Sequence, residues 1–359
     1  MNNKKTAFYA AVCVAAAALF CGVYFMAAHI AENQPSVPAS AAEEKPEPLS
    51  LPEKKEEKSN IQHELDEFAK AFSREFEYKY ARLESPLKFA FAIEDLKTGD
   101  KVMYNENEQL NSASVIKLYI AMTAYDVEND VENNGEKMPD GMRKSIEKMI
   151  TESNNDESRK VTKWLTDGDS EKHKDLIRNE NDSNTDRMAE ERFKKINNTI
   201  LKYGFSDKTK MQRDMFNDAP PGGSSGFDNF TTVSDCCMFL KKVYTGELVS
   251  KKYSEELYDL LKSQKRDNKI QRYIKRYGET DTVVRNKTGD LQSVENDVGI
   301  ITGTGKNGTE YAFSLCVMVN GIPKKPAVTD NKNSIYREDI QNDIANMAIR
   351  VQSIFEALY

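Results

Sequence analysis

The sequence predicts an α+β fold: one antiparallel sheet flanked by N- and C-terminal helices, with an all-helical lobe inserted after the second strand. Two observations predict it. The hydrophobic period changes along the chain in the order helix, two strands, a block of helices, three strands, helix. Within the first strand pair, Thr98-Gly99-Asp100 is a hairpin signal, which makes those neighbours antiparallel. The cleft between the sheet edge and the helical lobe is the natural place for a site.

Each element has its own signature. Over residues 59–80, Ile61, Leu65, Phe68, Phe72 and Phe76 recur at three- and four-residue spacing, the stripe of an amphipathic helix. The segment "LKFAFAIEDLKTGDKVMYNEN" then gives the two hairpin strands. Helical patterns run from Ser114 to about residue 166, followed at 167–192 by a highly charged stretch that reads as a surface insertion. Helices resume at 193–203 and 233–263, around a long loop with Pro220-Pro221-Gly222-Gly223 at its centre. "DTVVRNKTG", "NDVGIITG" and "EYAFSLCVMVN" supply three more strands, and an amphipathic helix over 334–358 closes the chain. "GTGKNGT", at 303–309, lacks the full phosphate-loop pattern and a following helix, so it is expected to be a hairpin turn.

The folded part occupies residues 59–359. Ahead of it, Lys4 and Lys5 precede a run without a charged residue from 7 to 28. About 20 apolar residues span a bilayer, so 7–29 is expected to be an uncleaved transmembrane signal anchor, with residues 1–6 cytoplasmic and the rest of the chain outside the cell membrane. Cleavage near Ala39-Ser40-Ala41 would instead make the protein secreted. Residues 30–58 are rich in Pro, Ala, Glu and Lys and almost lack large apolar side chains, so they form a disordered linker.

Composition excludes several classes. The formal charge of −7 leaves no basic excess to replace phosphate counterions, so no nucleic-acid partner is expected. Of five cysteines, Cys13 and Cys21 lie in the anchor, Cys236 and Cys237 are adjacent, and Cys316 is in a strand-like run. With no C-x-x-C pair, neither a zinc nor a redox motif is present, and buried free thiols are expected. Only three histidines occur, His29, His63 and His173, none in the folded core. That disfavours a serine–histidine triad and metal sites alike, and no cofactor is called for. A hydrolase built from this chain must use lysine for proton transfer.

The spacing S-x-x-K occurs twice, at Ser114–Lys117 and Ser145–Lys148. Downstream of the first come "MITESNNDES", with Ser153 and Asn155, and "VVRNKTGDL", with Lys287-Thr288-Gly289 at a strand end. S-x-x-K, S-x-N and K-T-G in this order resemble the penicillin-recognising serine enzymes, class A β-lactamases especially, over about residues 85–358. The resemblance implies the β-lactamase/transpeptidase fold, a monomer, and a β-lactam or a peptidoglycan stem peptide as substrate. It implies Ser114 as nucleophile, Lys117 as its base and Ser153 as proton relay. Asn155 would bind a substrate amide, and Lys287, Thr288 and Gly289 the substrate carboxylate. The backbone N–H groups of Ser114 and Asp290 would form the oxyanion hole.

The family carries a glutamate that activates the deacylating water, in the loop after the helical lobe. Residues 193–246 contain no glutamate. If Arg213 and Asp228 pair across the loop's neck, that position falls at Met215; Asp214 and Asp218 are the neighbouring carboxylates. The stretch from Ser114 to Ser153 is also shorter than the family's, and SNN replaces SDN. The expectation is a readily formed acyl-enzyme that hydrolyses slowly. A β-lactam hydrolase, a D-Ala-D-Ala peptidase or transpeptidase, and a sensor without turnover all fit it.

Overall fold

A computed structural model describes residues 59–359 apart from 84, 134–137, 168–181, 216–227, 279–280, 324–326, 329–333 and 336. The anchor, the linker and the Pro220–Gly223 segment lie outside the described residues. Among the described residues no helix is long and apolar enough to cross a membrane.

The first helix, α1 (Asn60–Tyr80), is capped by Ser59, whose Oγ accepts the Gln62 N–H at 3.0 Å. It buries the five residues whose spacing predicted it. β1 (Lys88–Asp95) and β2 (Lys101–Tyr104) follow, turned by Gly99 at φ +84°, a left-handed conformation that favours glycine. A short strand β3 (Leu110–Asn111) and a 3₁₀ turn over Ala113–Ile116 lead into the lobe. The lobe contains α2 (Lys117–Asn133), α3 (Asp140–Thr151), α4 (Asn155–Asp167) and α5 (Asp182–Lys202). β4 (Phe230–Thr231) pairs with β3, and α6 (Val233–Thr245), α7 (Lys251–Lys262) and α8 (Ile270–Tyr277) return the chain to the sheet. There it forms β5 (Val283–Leu291), β6 (Val294–Thr304) and β7 (Glu310–Asn320), a small pair β8 (Ala327–Val328) and β9 (Ser334–Ile335), and α9 (Arg337–Leu358).

The main sheet has the order β2-β1-β7-β6-β5 with every pair antiparallel, so β5 is an edge strand. Its two faces alternate along each strand and feed two cores. Phe89, Phe91, Phe313 and Leu315 pack with α1 and α9 on one face. Ala90, Ala92, Val298 and Cys316 pack with the lobe on the other. Cys236, Cys237 and Cys316 are buried free thiols, as composition implied.

Two expectations need correcting. The charged stretch 167–192 is not all surface insertion, because α5 begins at Asp182, well before residue 193. Phe193, Ile196 and Ile200 bury one stripe of that helix, and Arg192 is itself buried. A charged composition hid the helix because its apolar stripe is narrow. α8 was also not predicted: a short helix of eight residues gives too little period to read. "GTGKNGT" is the expected β6–β7 turn, with Gly308 at φ +83°.

Candidate active site

Ser114 sits in the 3₁₀ turn rather than in a first α-helical turn. The preceding Ala113 is left-handed at φ +45°, and its N–H donates to Asn111 Oδ1 at 2.9 Å. That conformation costs roughly 1–2 kcal/mol in a non-glycine residue, and it turns the half-buried Ser114 towards a small cavity shared with Asn155, Met215 and Asp290. One turn on, Lys117 opens α2 and is fully buried.

Ser153 lies between α3 and α4 and is the second strained residue of the site, at φ +57°. It is held on both sides. The Asn154 N–H donates back to Lys148 O at 3.3 Å, and Asn154 Oδ1 caps α4 by accepting the Glu157 N–H at 3.0 Å. Lys117 Nζ donates to Ser153 O at 2.7 Å and to Asn155 Oδ1 at 2.6 Å, and lies 3.5 Å from Ser153 Oγ. From the sheet side, Lys287 Nζ donates to the same Ser153 Oγ at 2.9 Å and to Thr288 O at 2.8 Å. Among the described residues, Ser114 Oγ makes no hydrogen bond.

Two buried amines therefore converge on one hydroxyl. Unit charges that close repel by roughly 3 kcal/mol at the effective dielectric of a protein. Burial, then the charges of Lys287 and Arg266, push the Lys117 amine down to about 6. Burial likewise takes Lys287 down to about 7, with Asp290 opposing the shift. At neutral pH Lys117 is largely an uncharged amine with a lone pair, the form a base needs.

Edge strand β5 runs past the serine turn at backbone contact. A Cβ on Gly289 would lie 2.7 Å from Ser112 O and 3.0 Å from Val115 Cγ2, so only glycine permits the approach. Thr288 Oγ1 is buried without a hydrogen-bond partner among the described residues. A buried orphan hydroxyl on the strand that passes the serine turn is a group a bound ligand could satisfy. Asp290 lines the cavity, its carboxylate paired with Arg266 at 3.0 Å and with the fully buried Lys269. Burial works against ionisation there, but Lys269 and Arg266 hold the Asp290 carboxyl down at about 2. Lys269 also bonds the buried Glu295 at 2.9 Å, which Arg337 of α9 meets from the other side. This ion cluster fixes the strand end that carries the expected oxyanion donor. No local motif marks it, since Lys269 and Glu295 are far apart in sequence.

The predicted residues thus come together from three segments of the chain: Ser114 and Lys117, Ser153 and Asn155, and the strand residues Lys287 to Asp290. Ser145, of the second S-x-x-K, is elsewhere; its Oγ donates to Glu157 Oε2 at 2.7 Å, with Gly141 O 3.1 Å away as the alternative acceptor. Arg213 Nε and Asp228 Oδ1 do pair at 3.1 Å. Asn229, not anticipated from sequence, clamps the same neck by accepting the Gln212 and Arg213 N–H groups and donating to Arg213 O. Met215 then faces the cavity where the expected carboxylate would stand. Asp214 lines it as well, but its carboxylate is taken by Arg192 at 3.0 Å. Asp218 lies outside the described residues. Among the described residues no group of His, Cys, Asp and Glu could hold a metal ion.

A five-stranded antiparallel sheet with this lobe, bearing a serine beside two buried lysines at the sheet edge, defines a β-lactamase-like serine enzyme. The sequence matches the Beta-lactamase enzyme family over residues 75–178 and 181–346, and the chain belongs to that family. No curated protein matches it at a significant level. Among solved structures, the β-lactamase from Sphaerobacter thermophilus DSM 20745 has a similar fold at TM-score 0.56 and 15% identity, covering 79% of this chain and 98% of its own. The TLA-1 extended-spectrum β-lactamase is similar at TM-score 0.57 and 17% identity, over 81% of this chain and 99% of its own. PBP-A is similar at TM-score 0.53 and 14% identity, over 80% and 94% respectively. A PBP-A mutant has also been solved as an acyl-enzyme complex with penicillin G.

Proposed function

We propose that this chain is a membrane-tethered serine enzyme whose Ser114 is acylated by β-lactams and whose acyl-enzyme hydrolyses slowly. The observation that carries the proposal is the meeting of Lys117 and Lys287 on Ser153 Oγ, beside Ser114. Ser114 Oγ turns towards the uncharged Lys117 amine, gives it a proton and attacks the lactam carbonyl carbon. The oxyanion is received by the N–H groups of Ser114 and Asp290. The carbon–nitrogen bond then breaks, and the proton passes from Lys117 through the Ser153 hydroxyl to the leaving nitrogen. Lys287, Thr288 and the close approach at Gly289 supply the carboxylate subsite, and Asn155 the amide contact.

Among the described residues, no free carboxylate stands ready for the second step. Met215 cannot activate water, and Asp214 is bound to Arg192. That observation favours a second reading, in which the physiological acyl donor is a D-Ala-D-Ala stem peptide, or the acylated protein is a sensor without turnover. The tether is supported by the uncharged run at 7–28 and by the linker composition.

The deciding experiment is intact-mass measurement after adding penicillin G, with Ser114→Ala as control, beside a chromogenic cephalosporin assay. A lasting adduct on Ser114 with little turnover is expected. Rapid turnover overturns the slow second step, and the absence of any adduct overturns the serine-enzyme proposal.

A further inference from the structure

Three carboxylates line the serine's cavity among the described residues, Asp214, Asp228 and Asp290, and an arginine is bonded to each. Two of those pairs belong to the frame of the site. Asp228 closes the neck of the loop with Arg213. Asp290 is held by Arg266 and Lys269 on the strand that carries the expected oxyanion donor. The third pair, Arg192 of α5 with Asp214, has a different standing.

The backbone beside Asp214 has anchors of its own. Asn197, also on α5, donates to Met211 O at 2.9 Å and accepts the Met211 N–H at 2.8 Å. Asn229 holds the next two residues, Gln212 and Arg213. What Arg192 fixes is therefore the Asp214 side chain, not the path of the loop.

The pair is also poorly satisfied. Its side chains are 9% and 13% exposed. Arg192 Nη2 donates to Asp214 Oδ2 at 3.0 Å, while Arg192 Nε is buried without a partner among the described residues. Asp214 Oδ1 lies 3.5 Å from Thr162 Oγ1, a hydroxyl that already donates to Arg159 O at 3.0 Å. Buried ion pairs give little net stability, and an orphan guanidinium nitrogen lowers it further. The pair is thus a weak brace for the fold but a strong constraint on one carboxylate at the serine's cavity.

Without Arg192, Asp214 would be a largely buried carboxylate with no counter-charge. Burial of that kind raises proton affinity and makes a stronger base. The cavity of about 60 Å³ has room for water, which needs only about 10–15 Å³ per molecule.

We propose that Arg192 is a positioning residue that silences Asp214, a latent base for the second step, and so keeps the acyl-enzyme long-lived. The proposal rests on the acylation of Ser114 put forward above. With the lock released, Asp214 takes a proton from a cavity water, whose oxygen bonds to the acyl carbon. The bond from that carbon to Ser114 Oγ then breaks. The proton returns from Asp214 to Ser114 Oγ, leaving the free acid and the starting enzyme.

The test is an intact-mass time course on the full-length chain, acylated with penicillin G and then freed of excess reagent. Arg192→Gln is expected to shorten the adduct lifetime at least tenfold, with the acylation rate changed less than about threefold. Arg192→Met, which fills a similar volume, is a second disruption with the same expectation. Arg192→Lys still offers a cation to the carboxylate and should keep the lifetime within about threefold of the wild type. Adding Asp214→Asn to Arg192→Gln should restore the long lifetime. An unchanged lifetime in both disrupting variants overturns the lock. So does a shortening that persists when Asp214→Asn is added, because a loosened loop rather than Asp214 is then responsible. If neither disrupting variant gives an adduct while the wild type does, the pair is a folding contact and the lock is overturned. If the wild type gives none, the acylation proposal itself falls, and the lock with it.

Discussion

The two serine–lysine pairs of this chain share their spacing and almost nothing else. Lys117 is fully buried against a second amine, and its contacts are Ser153 and Asn155. Lys148 is half-buried on α3, and its charge faces the carboxylates of Glu152 and Glu157. Ser114 is strained into a cavity, whereas Ser145 is buried and its hydroxyl is engaged by Glu157, with Gly141 O as the alternative acceptor. Three-residue spacing places the two side chains on one helical face. Reactivity is decided by which neighbours desolvate the amine and leave the hydroxyl free.

That contrast can be broken most directly at the serines. Ser114→Ala is expected to abolish the penicillin adduct in intact-mass spectra, and Ser145→Ala to leave it complete. Loss of the adduct in a folded Ser145→Ala protein would end the distinction. At the lysines, Lys117→Met should slow acylation by about 10²-fold or more in stopped-flow measurements, and Lys148→Met by less than about twofold.

The pH profile sharpens the same point. Because burial and neighbouring cations lower the Lys117 amine to about 6, its protonated form is lost as pH rises through that value. The acylation rate should therefore climb through about pH 6 and level off above it. Arg266→Gln removes one of those cations and should move the rise to higher pH; a shift to lower pH would contradict the assignment. A smaller effect is expected at the second step. Met215→Glu, which puts a carboxylate into the serine's cavity, should shorten the acyl-enzyme lifetime by about tenfold. The smallest effect is structural: Ser145→Ala should cost about 1 kcal/mol in denaturant unfolding, the worth of its hydrogen bond.

Much of this arrangement is legible in the sequence. The hairpin at Gly99, the strand at Lys287-Thr288-Gly289 and the helix stripe from Ile61 to Phe76 all follow from local patterning, which is why they were predictable. The order of the three motifs named residues that the fold brings together, and the Arg213–Asp228 pair placed Met215 beside them. What stayed hidden depends on contacts between distant segments. The Lys269–Glu295–Arg337 cluster, the Asn229 clamp and the convergence of Lys117 and Lys287 on Ser153 have no local periodicity to betray them. The start of α5 was masked for another reason: its charged residues outnumber the apolar ones that make its stripe.

The bond between Lys287 and Ser153 joins groups 134 residues apart, and that between Lys117 and Ser153 joins groups 36 apart. Contacts of such long range are absent from a chain that is still unfolded or only partly assembled. In that chain Lys117 is solvated and protonated, and Ser114 is an ordinary alcohol. The acylation proposed above therefore requires sheet and lobe to have closed on each other. On that proposal, a labelled penicillin would count folded molecules alone and so report the maturation of the protein.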